Sequence, residues 1–153
     1  MKVAAQNAEQ YAKAKGLTTE ETFGYGKEGY VMQSSQRTAI KAFYYTTRYR
    51  YELEVYRYLK RWSINEVHGF SIPELVDSSE SLRIIEMSVV VPPFILDFAE
   101  AQIDAPIERD EDWLESTQEL FGDDWDRVKI AVWKLEEQGI YLSDIHLGNI
   151  CCR

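Results

Sequence analysis

Hydrophobic and polar positions in the first part of the chain predict one helix followed by several short strands. An alanine-rich stretch over residues 3–15 ends at Gly16, which is typical of a helix with a glycine terminator. Three short apolar segments bounded by polar turns then predict antiparallel strands, the first two joined by a glycine-rich loop. These segments lie at 22–23, 30–33 and 38–43.

The pattern changes to helical spacing over residues 47–61, where Leu53, Tyr56 and Leu59 recur on one face. Two more short strands are predicted at 74–77 and 82–87. The run Val89-Val90-Val91-Pro92-Pro93 then interrupts regular structure, because proline removes a backbone donor and restricts the residue before it.

The remainder of the chain is more helical. Residues 94–100 are short and ambiguous. Asp110 is placed to cap a helix that runs through Phe121, and Asp123 or Asp124 is placed to cap the next one. That second helix ends at Gly139, and residues 140–142 read as a short extended run.

Composition and charge narrow the classes of protein. With 153 residues and 45% hydrophobic residues, the chain has the composition of one soluble globular domain. Residues 1–76 carry 11 basic and 8 acidic side chains, whereas residues 77–153 carry 6 and 18, so the character changes near 77–95. The net charge of −9 argues against nucleic-acid binding.

Other features of the sequence point to a cytoplasmic protein with no membrane partner. No apolar run approaches the ~18–20 residues that a membrane span needs. The first residues contain no signal-peptide core. The two cysteines, Cys151 and Cys152, are neighbours in the sequence. This placement argues against both a disulfide scaffold and a zinc site.

The glycine-rich loop has the spacing Gly24-x-Gly26-x-x-Gly29. A dinucleotide fingerprint would need a helix after it, but residues 30–33 have strand character. The loop therefore joins two antiparallel strands. Its glycines either bring backbone N–H groups close to phosphate oxygens or form a plain hairpin, and the loop alone does not decide between them.

Further residues in register favour the phosphate interpretation. Val31 extends the loop to G-x-G-x-x-G-x-V, Ala39-Ile40-Lys41 lies one strand later, and Glu52 falls on the helix that follows. This set resembles that of the protein-kinase-like superfamily, in which the helix glutamate holds the strand lysine on the nucleotide phosphates. The resemblance implies ATP as the nucleotide.

The resemblance also implies nucleotide-binding roles for residues at the end of the last predicted strand of the small lobe. Ile85 would stand at the gatekeeper position, and the backbone of Glu86 and Ser88 would bind the adenine edge. The change of charge near 77–95 would then mark the boundary between two lobes.

A second motif lies near the end of the sequence. Asp144 and Asn149 have the D-x-x-x-x-N spacing of the kinase catalytic loop, in which the aspartate is the base and the asparagine holds Mg²⁺. The full run D-I-H-L-G-N-I is more similar to aminoglycoside- and choline-type phosphotransferases, and Leu142-Ser143 stands where protein kinases have His-Arg. His146 is either a polar loop residue or a neighbour of the transferred phosphoryl group, and both interpretations stay open.

The resemblance predicts an α+β fold of the protein-kinase-like type. A helical extension would cover residues 1–19, and a small lobe over 20–92 would hold a five-strand antiparallel sheet with one main helix. A reduced, mostly helical part of the large lobe would cover 93–153.

One expected element is missing from the sequence. The D-F-G aspartate that should follow Asn149 is absent, and nothing upstream obviously substitutes for it. Three hypotheses follow. The protein is a phosphotransferase that moves the ATP γ-phosphate to an unknown hydroxyl acceptor. Alternatively, it is a pseudokinase that binds nucleotide or a partner protein without catalysis. In the third, a partner or a second copy in a homo-oligomer completes its site.

Overall fold

The computed structural model describes residues 2–153 and contains four α-helices and eleven strands in that range. The helices are α1 (Lys2–Ala14), α2 (Thr46–Arg61), α3 (Glu111–Phe121) and α4 (Trp125–Glu137). The strands are β1 (Thr19–Tyr25), β2 (Gly29–Ser34), β3 (Thr38–Phe43), β4 (Glu66–Val67), β5 (Phe70–Ser71), β6 (Leu75–Ser79), β7 (Ile84–Ser88), β8 (Ile95–Leu96), β9 (Ala101–Ile103), β10 (Ile140–Leu142) and β11 (Ile150–Cys151).

The main sheet has five antiparallel strands in the order β1-β2-β3-β7-β6. Helix α1 covers one face because its small side chains recur at helical spacing and let the helix lie close to the strands. Ala4, Ala8 and Ala12 are buried there against Ile40 and Ile84 of the sheet. The N-terminal helix predicted from the alanine pattern is therefore the outer layer of this sheet.

Helix α2 covers the opposite face. Its buried side chains include Leu53, Tyr56 and Leu59, the three residues whose spacing predicts the helix. The same apolar cluster continues into α4 and into the short strands of the second part. One core therefore joins α2 to the rest of the molecule, and it fixes α2 relative to the elements that carry the second motif.

The second part consists of α3, α4 and short strands. Asp110 caps α3, since its carboxylate accepts a hydrogen bond of 2.8 Å from the backbone N–H of Trp113. Gly122 ends α3, and α4 begins directly after a single 3-10 turn. The α+β fold class is confirmed. A five-stranded antiparallel sheet with one main helix on its inner face is followed by a smaller part built on two helices.

Several short strands on both sides of residue 92 are absent from the predicted elements. Strands β4 and β5 form a hairpin whose turn places His68 and Gly69 at φ 47° and 83°. Strand β5 pairs in parallel with β8, and β8 pairs antiparallel with β11. Elements of two residues are too short to show an alternating pattern, so the sequence gives no periodicity from which to predict them.

The pairing of β5 with β8 also bears on the predicted boundary at residues 92/93. It joins residues 70–71 of the predicted small lobe to residues 95–96 of the large-lobe part. The division into lobes remains a prediction. Within residues 2–153, no helix has the length and apolar character needed to cross a membrane.

Candidate functional site: a charged cleft beneath the glycine-rich hairpin

Lys41 and Glu52 form a buried ion pair between the main sheet and α2. The Lys41 Nζ donates to both Glu52 carboxylate oxygens, at 2.7 and 2.8 Å. Their side chains are only 9% and 1% exposed. Lys41 reaches this position because it lies on the inner face of β3, and Glu52 lies on the buried face of α2 opposite it. The structure thus brings together the lysine and the glutamate of the predicted set.

Burial and charge act on this pair in different ways. Burial alone would lower the pKa of Lys41, but the carboxylates of Glu52, Asp97 and Glu28 outweigh it and raise the pKa above its ordinary value. Burial raises the pKa of Glu52 to about 7, although Lys41 opposes that shift. The lysine therefore stays charged, within the field of more than one carboxylate.

Lys41 forms part of the wall of a cleft of about 660 Å³. The cleft lies beneath the hairpin formed by β1 and β2, and the catalytic-loop motif lies on its other side. Seven of the predicted site residues line it: Gly24, Gly26, Gly29, Val31, Lys41, Asp144 and Asn149. The two motifs are separated by about a hundred positions in the sequence, and the fold places them around one cavity.

Gly29 has a steric requirement that the other loop glycines lack. A Cβ at Gly29 would lie 2.4 Å from the backbone oxygen of Ala42 on β3, whereas a Cβ at Gly24 or Gly26 would meet no atom within 4 Å. The third glycine of the motif therefore permits the close approach of β2 to β3. The first two leave open space around the loop.

The remaining predicted nucleotide-binding residues do not line the cleft. Ala39 and Ile85 are buried in the main core, where Ile85 pairs with Lys41 across β3 and β7. Glu52 lies behind Lys41 and reaches the cleft only through that ion pair. Glu86 and Ser88, at the end of β7, also lie outside the lining of the cleft.

The backbone of Glu86 and the N–H of Ser88 pair within the sheet region. Strand β7 continues through Ser88, so Glu86 has β3 on one side and β6 on the other. The Ser88 N–H donates to the Glu74 carbonyl at 2.9 Å. The adenine-edge contacts expected from the backbone of Glu86 and Ser88 stay a prediction, and both residues still lie within β7.

The side chain of Glu86 points to the outer face of the sheet. Its carboxylate accepts hydrogen bonds from the Tyr11 hydroxyl at 2.8 Å and the Thr38 hydroxyl at 2.6 Å, and the residue is 4% exposed. Glu86 therefore attaches α1 to the sheet. The pKa of Tyr11 is raised well above its ordinary value. The main cause is the burial of Tyr11, and the hydrogen bond to the Glu86 carboxylate adds to it.

The D-x-x-x-x-N loop is held by its own side chains. The Asn149 Nδ2 donates to the Asp144 carbonyl at 2.9 Å. The side-chain oxygen of Asn149 takes no part in this bond and remains an acceptor. The Gly148 N–H donates to the His146 Nδ1 at 2.9 Å. The proton of a neutral His146 ring is then on Nε2, which lies 3.2 Å from an Asp144 carboxylate oxygen.

Asp97 also lines the cleft, and the sequence analysis missed it. It follows β8, and its N–H donates to the Asn149 carbonyl at 2.8 Å, so the two residues lie side by side. Phe98 is fully buried, and its ring packs edge-on against Tyr56 of α2 with centroids 5.7 Å apart. Asp97-Phe98-Ala99 differs from D-F-G in one residue. That signal was available, but it precedes the catalytic loop, whereas the family order places D-F-G after it.

Asp97 and Asn149 carry side-chain oxygens of the type that Mg²⁺ binds. Across residues 2–153, no three His, Cys, Asp or Glu side chains converge as a metal site. Mg²⁺ usually binds through one or two carboxylates, with water and substrate phosphates completing its octahedral shell. Asp97 brings one carboxylate and Asn149 one amide oxygen to the lining of the cleft, and these donor types are compatible with that requirement.

The fold and the site define an α+β protein with a charged cleft beneath a glycine-rich hairpin. No protein-family model matches the chain, and no curated protein matches it. Among solved structures, the chain is similar to the aminoglycoside phosphotransferase APH(2'')-IIa in a ternary complex with streptomycin and ATP, with a TM-score of 0.44 and 18% identity. The match covers 57% of this chain and 28% of that one, so it spans less than a third of that protein's length.

Proposed function

We propose that this protein is a kinase-like phosphotransferase that moves the terminal phosphoryl group of ATP to a hydroxyl acceptor. The observation that supports this most is the buried Lys41–Glu52 pair in the wall of a cleft that also holds Asp144 and Asn149. A buried ion pair adds little stability over apolar residues of similar volume, so its presence at a cleft favours a role in binding.

In this proposal the two sides of the cleft have different tasks. The glycine hairpin covers the phosphates with backbone N–H groups, and Lys41, oriented by Glu52, donates to their oxygens. Asp97 and Asn149 would hold Mg²⁺, which neutralises charge on the phosphates when it is bound. Residues 20–92 would then form the small lobe, and residues 93–153 part of the large lobe.

Asp144 is the proposed base, which accepts the proton of the attacking hydroxyl at a carboxylate oxygen. Its side chain is 44% exposed at the cleft, so an acceptor can reach it. His146 contacts the same carboxylate and would orient it. The two interpretations of His146 given by the sequence, a polar loop residue and a neighbour of the transferred phosphoryl group, are not distinguished by this contact.

Transfer from γ-labelled ATP tests the proposal. The assay compares the wild type with Lys41→Met, Asp97→Asn and Asp144→Asn, and uses Lys129→Met as a control because that lysine is exposed on α4. We expect each of the three site variants to lose at least about 10²-fold in rate, through loss of an electrostatic donor at Lys41, of the metal-binding carboxylate at Asp97 and of the general base at Asp144. Full activity in the Lys129→Met variant and loss in the others supports the proposal; equal rates in all five proteins contradict it.

A second candidate is a nucleotide-binding module without transfer. The His146 contact favours it, because the carboxylate of the proposed base already has an internal partner at 3.2 Å. This candidate predicts that ATP raises the melting temperature by mass action and that no labelled product forms with water or any hydroxyl acceptor supplied. Transfer that disappears in Asp144→Asn would exclude it.

A further inference from the structure

Glu28 is a buried carboxylate in the glycine-rich loop. It directly precedes Gly29 and lines the cleft together with Lys41. Its side chain is 13% exposed, and both carboxylate oxygens are inaccessible and lack a hydrogen-bond partner within residues 2–153. Burying a charged group without hydrogen bonds is unfavourable, so this position needs an explanation beyond local stability.

The nearest basic group is the Arg48 guanidinium at the start of α2. Its Nε lies 3.4 Å from a Glu28 oxygen, which is an ion-pair distance without the geometry of a hydrogen bond. Arg48 also lies 4.0 Å from Glu100, which follows the Asp97-Phe98-Ala99 segment. Burial raises the pKa of Glu28, and the charges of Lys41 and Arg48 only partly oppose this. The carboxylate is therefore near two cations and bound closely by neither.

We propose that Glu28 stands in for a nucleotide phosphate in the resting protein, and that Arg48 is a phosphate-binding residue which exchanges Glu28 for the nucleotide. The proposal rests on the proposed function, since it requires phosphates in this cleft. A carboxylate and a phosphate are both anionic acceptors, and arginine binds phosphate through two parallel hydrogen bonds that Glu28 does not use here. Arg48 does not itself line the cleft, so a phosphate in the cleft reaches it only at the place that the Glu28 carboxylate now occupies, and it displaces Glu28 there.

The loop has the freedom that this exchange needs. Gly24 and Gly26 have open space around them, and the β1–β2 register shifts twice before Gly24. Gly29, in contrast, is packed against β3. The loop can therefore lift at its β1 side while the backbone of Glu28, whose carbonyl accepts from the Tyr44 N–H at 2.9 Å, stays with β2. Lifting opens the space into which the Glu28 side chain can rotate out of the cleft.

Binding measurements on Glu28→Gln test the exchange. This variant keeps the shape of the side chain and removes its charge; Glu21→Gln is the matched control, because Glu21 is exposed on β1 and the change in net charge is the same. The probes are ATP and inorganic tripolyphosphate, measured by calorimetry. We expect Glu28→Gln to bind both at least about fivefold more tightly than the wild type and Glu21→Gln, the lower end of usual coupling between two sites.

The role of Arg48 is tested in the background of Glu28→Gln. There, Arg48→Gln changes phosphate binding without also releasing Glu28. We expect the double variant to lose the gain in affinity for tripolyphosphate. Equal affinities in the wild type and Glu28→Gln, or an unchanged affinity when Arg48 is removed from Glu28→Gln, overturn the proposal.

A measurement without ligand separates this inference from the proposed function. Chymotrypsin cleavage after Tyr25, which is 73% exposed in the loop, reports how often the loop lifts. We expect faster cleavage in Glu28→Gln and in Arg48→Gln than in the wild type and Glu21→Gln. Equal cleavage rates contradict the closed position of Glu28 whatever the nucleotide result. If cleavage differs but neither the wild type nor Glu28→Gln binds ATP, the proposed function fails, and with it the assignment of Arg48 to phosphate.

Discussion

Replacing Lys41 by methionine should show that each buried charge of the Lys41–Glu52 pair needs the other. The pair as a whole should add little stability over apolar residues of similar volume. Glu52 is 1% exposed, and both of its carboxylate oxygens accept from Lys41. In Lys41→Met the carboxylate keeps its burial and loses both hydrogen bonds. The substitution retains a long apolar stem, so the packing of β3 against α2 changes little.

The expected magnitude follows from that geometry. Removing one partner of a buried pair costs about 3–5 kcal/mol of unfolding free energy. For a chain of this size the loss lowers the melting temperature by about 6–20 °C. The double variant Lys41→Met/Glu52→Met has no buried charge, and we expect its stability within about 1–2 kcal/mol of the wild type. The two single effects are therefore strongly non-additive.

The effect of Lys41→Met should also depend on pH. Burial raises the pKa of Glu52 above its value in the unfolded chain, and loss of Lys41 removes the charge that opposes this shift. The folded state then binds the proton more tightly than the unfolded state, so stability is greatest below the unfolded pKa and falls as pH rises through the folded pKa. The variant is expected to be closest to the wild type near pH ~5 and furthest from it near pH ~8.

Urea denaturation of the wild type, both single variants and the double variant, at acidic and mildly alkaline pH, measures these quantities. Two results would refute the reasoning. One is a loss below about 1 kcal/mol for Lys41→Met at alkaline pH, which would mean that Glu52 finds another partner. The other is a double variant whose loss equals the sum of the single losses.

Three further outcomes are expected for stability. Gly29→Ala should lower the melting temperature, because its Cβ would lie 2.4 Å from a backbone oxygen of β3, whereas Gly26→Ala should leave it unchanged; equal melting curves would contradict this. Asp110→Ala should cost about 1 kcal/mol through loss of the α3 cap, measured by urea denaturation. Tyr11→Phe should cost about 1.5–3 kcal/mol, because it removes a donor to the buried Glu86 carboxylate, and hydrogen exchange should show α1 opening more often; unchanged protection of α1 would show that Glu86 does not attach the helix.

Elements with a long repeating pattern could be predicted from the sequence. The spacing of Leu53, Tyr56 and Leu59 predicts α2, and the structure buries all three. The glycine loop and the strand lysine are local signals, and they lie on β1, β2 and β3 as predicted. In each case the residues that carry the signal are neighbours in the sequence.

Features that depend on distant pairing were not predictable in the same way. The sequence predicts a strand over 82–87, whereas β7 covers Ile84–Ser88, and its extension to Ser88 depends on pairing with β3 rather than on the sequence of β7 itself. The resemblance gives a role only to the backbone of Glu86, and the direction of its side chain toward α1 follows from alternation along the strand. The sequence contains no local mark that distinguishes the two faces of this strand, because apolar residues surround Glu86 on both sides.

Asp97 shows how the order of a motif can mislead. The missing carboxylate was sought after Asn149, because the resemblance to kinases places it there. The antiparallel pairing of β8 with β11 brings Asp97 beside Asn149 from the opposite direction along the chain. A strand ladder fixes which residues are neighbours in space and is indifferent to which strand comes first. An upstream carboxylate can therefore lie beside Asn149 without a D-F-G segment downstream, and the Asp97→Asn variant tests whether it takes that role. The hypotheses that a partner or a second copy completes the cleft stay predictions beside it.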